Sequence, residues 1–230
     1  MMSIKVTIII RAYNAQDFIE QSVKGALSQN FPRDNFEVIV VNDGSTDSTS
    51  KILEQFTKVG NLKIISQDNR GAEVAANNGI KASRGEYITF LDSDDEFSLN
   101  FLKELAPILD GDSGIDFCYP DYYEEFNGKK ILVSPKNIFE NIMIGVLFRK
   151  DKLTDEGFFR KSVFFTEYDL LLRTMNKWTS FHCAKPLFTY HRRNDSATGN
   201  SNRVEEGLRQ LRDLHPDKLE HIKKIRSYKL

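Results

Sequence analysis

Cysteine is scarce in this chain: two residues in 230, Cys118 and Cys183, with no CxxC spacing. That excludes a disulfide scaffold, a zinc ribbon and a dithiol redox centre, and leaves both thiols as expected core residues in a reducing compartment. Long apolar runs are missing too. None approaches the roughly 18 residues that a membrane-spanning helix needs, and the opening Met-Met-Ser-Ile-Lys-Val has no signal-peptide layout. The expected location is cytoplasmic. A peripheral contact with the inner face of a membrane is open to the basic end, His221-Ile-Lys-Lys-Ile-Arg-Ser-Tyr-Lys-Leu230, with a solvated helix face as the competing reading. Charge imbalance is absent: 32 Lys and Arg against 33 Asp and Glu give a net charge of −1, so no nucleic-acid partner is expected. Glycine-rich phosphate cradles are absent as well. No GxGxxG follows the first strand-like run and no GxxxxGKS or GxxxxGKT occurs, which disfavours a Rossmann dehydrogenase and a P-loop NTPase.

What is present is a core-forming composition, 40% hydrophobic and 28% charged, in a length that suits one large domain. The first half alternates two periodicities. Residues 4–10 are a continuous isoleucine-rich run expected as a strand buried on both faces. Asn14 stands where a helix N-cap would, before apolar residues at helical spacing over 15–28 (Phe18, Val23, Ala26, Leu27). Strands follow over 36–41, 62–66 and 86–91, separated by helices over 47–56 and 71–82. This βαβαβαβ rhythm predicts an α/β fold with a parallel central sheet flanked by helices. From about residue 97 the rhythm changes: a helix over 98–109, a strand over 115–119, a hairpin at Asn127-Gly128, helix-like stretches over 135–141 and 166–177, and short strands over 180–190. A charged helical tail closes the chain from about 203. No linker separates the halves, so both are expected on one sheet.

In an open parallel sheet, ligands bind beyond the carboxyl ends of the strands. Three such ends are polar here: Arg11-Ala-Tyr-Asn14, Asn42-Asp-Gly-Ser-Thr-Asp47 and Asp92-Ser-Asp-Asp95. Asp92, Asp94 and Asp95 repel one another unless a cation intervenes, and a divalent metal carrying phosphates meets that need. The competing reading is that these aspartates only cap the next helix. Asp47 is well explained as such a cap. Asp43, at the strand end itself, is placed to accept a hydrogen bond from a nucleobase N–H, which uracil and guanine both offer.

The blocks Val6-Thr-Ile-Ile-Ile-Arg-Ala-Tyr-Asn14, Val40-Val-Asn-Asp-Gly-Ser-Thr-Asp47, Asn69-Arg-Gly71 through Asn77-Asn-Gly-Ile80, and Gly85-Glu-Tyr-Ile-Thr-Phe-Leu-Asp-Ser-Asp-Asp95 resemble the family-2 glycosyltransferases of the GT-A fold. The match is specific over 4–95 and looser to about 198. It implies a nucleotide-sugar donor, a UDP-sugar first and GDP or dTDP next, held by Ala12, Tyr13, Asn14, Asp43, Asn69, Gly71, Asp92 and Ser93. Asp92 and Asp94 match the family's DxD and would hold Mg²⁺ or Mn²⁺, with Asp94 the direct ligand. Two departures stand out: Arg11 replaces a usual proline, and Ala76 a usual arginine. Thr166-Glu-Tyr-Asp-Leu-Leu-Leu-Arg173 is similar to the family's Glu-Asp-Tyr-Asp-Leu-Trp-Leu-Arg, which puts Glu167 on the catalytic base, one methylene longer than aspartate. The competing reading is an amphipathic helix with Glu167, Asp169 and Arg173 as a solvated charge set. In Tyr190-His-Arg-Arg-Asn-Asp-Ser-Ala-Thr198, Arg192 and Arg193 suit phosphate oxygens, and His191 is a candidate metal ligand.

The resemblance implies sugar transfer, with inversion and a metal, to a glycan or lipid-linked acceptor in cell-surface polysaccharide or glycolipid synthesis. A transferase domain over 1–200 would divide into a nucleotide-sugar half (1–95) and an acceptor half (96–200), with a tail over 201–230. A nucleotidyltransferase, or a binding module without turnover, is the alternative.

Overall fold

The computed structural model describes residues 4–193 and 199–225. Four strands, β1 (Val6–Ala12), β2 (Phe36–Asp43), β3 (Leu62–Gln67) and β4 (Tyr87–Asp92), pair in parallel in the order β3-β2-β1-β4. They are joined by α1 (Ile19–Leu27), α2 (Thr49–Glu54) and α3 (Ala72–Ala82). Strand β1 shows why the sheet needs helices on both faces. Ile8 and Ile10 enter one buried cluster with Ile19 and Val23 of α1, whereas Ile9 enters the opposite cluster with Ala75, Ala76 and Ile80 of α3. All three isoleucines are fully buried, each contributing ~1.5–3 kcal/mol of apolar transfer free energy. Gly79 lets α3 approach this closely, since a Cβ there would lie 2.6 Å from Ile9 Cγ2.

The second half extends the same sheet. It comprises β5 (Glu96–Phe97), α4 (Phe101–Gly111), β6 (Phe117–Phe126), β7 (Lys129–Val133), β8 (Leu147–Arg149), α5 (Lys150–Asp155), α6 (Thr166–Thr174), β9 (Ser180–His191), α7 (Ser201–Leu214) and α8 (Leu219–Ile222). The order continues β4-β8-β6-β9-β5, with β7 hairpinned onto β6. Strand β8 is antiparallel to β4 and β6, so the sheet is mixed beyond β4. The alternating order and the single sheet agree with the sequence reading.

Several expectations are corrected. Asn14 does not cap α1: it takes a left-handed φ of 48°, and its side chain instead accepts the Thr46 N–H across the rim at 2.8 Å. The helix starts five residues later. Residues 135–141 form only a 3₁₀ turn at Ile138–Glu140, and 180–190 belong to one long strand with register shifts against Pro120–Tyr123. The C-terminal segment is packed. Leu211, Ile222 and Ile225 are buried, and Lys218 donates to the Leu172 carbonyl of α6.

Candidate active site

The crossovers from β1 run through β2 to β3 on one side, and β4 then lies on the other side of β1. That reversal is the topological switch point, outside whose carboxyl ends an open α/β sheet forms its ligand crevice. Arg11 and Asp92 face each other there as register partners. Arg11 Nη2 donates to Asp92 Oδ1 at 2.6 Å, and Nη1 donates to Glu167 Oε1 of α6, also at 2.6 Å. One guanidinium therefore joins the acidic rim to the first turn of a helix 156 residues away in sequence. Burial opposes the charge on Arg11, but Asp92 and then Glu167 more than offset it, so its pKa is raised and it stays protonated.

The rest of the acidic cluster closes around Arg193 and His191. Arg193 Nη2 lies 2.8 Å from Asp94 Oδ2, and its guanidinium stacks over Phe18 at 4.3 Å. Burial first, and the Asp92 charge second, raise the Asp94 carboxyl above its ordinary value, while Arg193 pulls it back. Asp95 is almost fully buried. Its Oδ1 accepts the His191 N–H at 2.8 Å, and its Oδ2 has no partner among the described residues. Burial, then Asp94 and Asp92, push its carboxyl well upward. His191 Nδ1 is also buried without a hydrogen-bond partner, 3.8 Å from Asp95 Oδ1.

Among the described residues no group of three or more His, Cys, Asp or Glu is arranged to hold a metal. A hard divalent ion that binds one or two carboxylates plus substrate phosphates needs no such cluster. Burial first, and the neighbouring carboxylates second, raise the carboxyls of Asp94 and Asp95, and an added cation would relieve the second of these. The donor set of Asp92 and Asp94 therefore fits Mg²⁺ or Mn²⁺, each carboxylate at present facing an arginine.

Beside this rim lies a second group of predicted residues. Asp43 is buried and accepts from Gln67 Nε2 at 2.7 Å and from the Arg70 and Gly71 N–H groups, both at 2.9 Å. Its carboxylate thus organises the Asn69–Gly71 turn, and by lone-pair count one accepting position is left for a ligand. Gly44 and Gly71 take φ of 71° and 96°, and a Cβ on Gly44 would lie 2.6 Å from the Asn69 nitrogen. Asp47 lies one residue before Ser48, the N-cap of α2, and accepts the Thr49 N–H at 2.9 Å; it also accepts the Gln16 N–H and ties the β1 and β2 loops together. Ala12 is buried, Tyr13 is 50% exposed, and Ser93 is half-buried between the two DxD carboxylates.

Two side chains lie elsewhere than the sequence suggests. Arg192 is turned toward the β6–β7 hairpin, 3.4 Å from Glu124 and stacked over Phe126, so Arg193 is the arginine that meets the aspartates. The rest of the Tyr190–Thr198 segment, 194–198, lies outside the described residues. Asp169 is not solvated: it is fully buried between Arg173, Arg160 and His215 at 3.1, 3.1 and 2.8 Å. Nothing near Asp169 in sequence reveals His215 or Arg160 as partners, because the contacts are tertiary.

Residues 7–174 match the family model described as Glycosyl transferase family 2. The chain belongs to that family. The minor teichoic acid biosynthesis protein GgaA of Bacillus subtilis is 30% identical over 181 residues, 70% of this chain and 41% of GgaA. The poly(ribitol-phosphate) beta-N-acetylglucosaminyltransferase TarS of Staphylococcus aureus is 34% identical over 108 residues, 46% of this chain and 19% of TarS. This family-2 chain covers only 14–41% of the length of such curated relatives. Its GT-A fold is shared with the TarS fragment solved with UDP-GlcNAc (TM-score 0.76, 22% identity, 90% of this chain and 65% of that one). It is shared too with the mannosyltransferase PcManGT of Pyrobaculum calidifontis, solved with GDP-Man and Mn²⁺ (TM-score 0.77, 17% identity, 99% and 70%). No helix among the described residues is long and apolar enough to cross a membrane.

Proposed function

We propose that this chain transfers one sugar from a nucleotide diphosphate donor to an acceptor hydroxyl, with inversion at the anomeric carbon. The observation that carries the reading is the Arg11 bridge, which brings the Glu167 carboxylate to within one guanidinium of Asp92 at the switch point. A strand-end acid and a helix-borne base on one crevice are what a single displacement needs. The nucleoside is assigned to Ala12, Tyr13, Asn14 and the Asn69–Gly71 turn, with the base on the remaining accepting position of Asp43. UDP- and GDP-sugars are the donors to try first, because TarS and PcManGT were solved with one of each. A glycan of the cell-wall kind made with GgaA and TarS is the proposed acceptor class.

Asp94, with Asp92, would hold Mg²⁺ or Mn²⁺, which as a Lewis acid would stabilise the departing diphosphate. Glu167 takes the acceptor proton on its second oxygen as the acceptor O–C1 bond forms. The C1–O bond to the diphosphate breaks at the same time, and the diphosphate leaves with the electron pair. The carbon passes through an oxocarbenium-like state, as in one-displacement glycoside hydrolysis. Arg193, close to Asp94, is placed to take charge from the leaving diphosphate.

Glu167→Gln keeps the shape and removes the base. Turnover, followed as UDP or GDP released from UDP-GlcNAc or GDP-mannose, is expected to fall by about 10²–10⁴-fold. Nucleotide affinity is expected to hold within a few fold. A Gln variant with full turnover would assign the base elsewhere.

A further inference from the structure

Glu167 sits on the first turn of α6 with its Oε1 bonded to Arg11, and its Oε2 takes no hydrogen bond from the described residues. A glutamate has three rotatable side-chain bonds, so a carboxylate tethered by nothing would spend most of its time away from any one reacting geometry. Arg11 is the opposite case. It belongs to the central strand, paired on one side with Val41 and on the other with Asp92, and its side chain is only 13% exposed. Its guanidinium also stacks near the Phe90 ring, 5.9 Å from the centroid. The fork is anchored by the sheet, and the glutamate is anchored by the fork.

We propose that Arg11 is the positioning residue of the transfer: its planar fork fixes Glu167 by one oxygen and leaves the other to receive the acceptor proton. The proposal rests on the transferase reading above. It makes one feature of two departures from the family pattern, since the arginine in place of proline is in direct contact with the glutamate in place of aspartate. The longer acid is held at a set distance from Asp92 by a group that only a bidentate cation supplies. Lysine, a point charge on a flexible stem, reaches one carboxylate well and not two at fixed angles.

A double-mutant cycle on nucleotide release from UDP-GlcNAc or GDP-mannose with Mn²⁺ tests it. Arg11→Ala is expected to lower kcat by about 10–100-fold while the donor KM stays within a few fold. Guanidinium ion at tens of millimolar is expected to restore part of that turnover, and ammonium less. In a Glu167→Gln background the same alanine substitution is expected to change little, because Arg11 acts through Glu167. Equal losses in both backgrounds would overturn the proposal and make Arg11 a donor contact. Arg11→Lys keeps the buried charge and serves if the alanine variant does not fold. Its kcat is expected to fall by about tenfold, and wild-type turnover in it would overturn the proposal too. The two possible failures differ: absence of release by the unmodified protein defeats the transferase reading and this proposal together, whereas additive variants defeat the proposal alone.

Discussion

Asp92, Asp94, Asp95 and Glu167 set four carboxylates against two guanidiniums, Arg11 and Arg193, within one connected cluster. With every group ionised the cluster is two charges negative, which adds to burial, the larger cause, in raising the carboxyls of Asp94 and Asp95. A diphosphate arriving alone would meet repulsion; a divalent cation arriving with it balances the deficit. The acidic end of β4 was legible in sequence because an apolar run stops abruptly in three aspartates. The Arg11–Glu167 contact was not, since the two residues are distant in the chain, nor was the meeting of Arg193, rather than its neighbour Arg192, with Asp94. A second charged cluster, at the far end of β4, gives a pH prediction. Tyr87 is buried, donates to Asp110 at 2.8 Å and lies under Lys5. Burial first, then the Asp110 bond, push its hydroxyl up to about 12 from about 10 in an unfolded chain. A raised acid favours the folded state while it is neutral. Its contribution is therefore complete below pH 10 and is lost as pH rises through about 12. Urea melts across that range are expected to show a steeper fall in stability for the native protein than for Tyr87→Phe; equal slopes would remove Tyr87 from the account.

Among the elements, the four parallel strands are legible because each is a short, mostly apolar and β-branched run between turn residues, β3 being the most polar of them. The start of α1 is not legible, because Asn14 has the residue type of a cap, while its left-handed backbone serves the Thr46 loop. Strand β8 and helix α5 span only 147–155 and leave no periodicity long enough to recognise. The contact between α3 and the approach to α6 runs in part through one buried side chain. Asn77 Nδ2 donates to the Phe159 carbonyl at 2.8 Å, and its Oδ1 accepts the Phe159 N–H at 3.1 Å, all of it buried. Asn77→Ala would leave two buried backbone groups unpaired, at ~1–3 kcal/mol each. Chemical denaturation is expected to show a loss of about 2–4 kcal/mol. A loss under 0.5 kcal/mol would mean that water replaces the amide without penalty.

At the scale of the whole molecule, one mixed sheet carries both halves, so the acidic rim at the end of β4 and the helix that carries Glu167 rest on the same packed core. The C-terminal segment, expected as a tail, is docked on α6 through His215 to Asp169 and Lys218 to the Leu172 carbonyl. It therefore braces the helix that presents Glu167. On the proposed reading, the carboxyl ends of β1 and β4 bind a metal–nucleotide. Thermal melting with UDP-GlcNAc or GDP-mannose, each with and without Mn²⁺, tests it in the unmodified protein and in Asp94→Ala. A ligand at a hundred times its Kd adds about 2.7 kcal/mol, or roughly 5–10 °C in Tm for a chain of this size. That rise is expected for at least one donor with Mn²⁺, and its loss is expected in Asp94→Ala. No rise with either donor, or an equal rise in the variant, would contradict it.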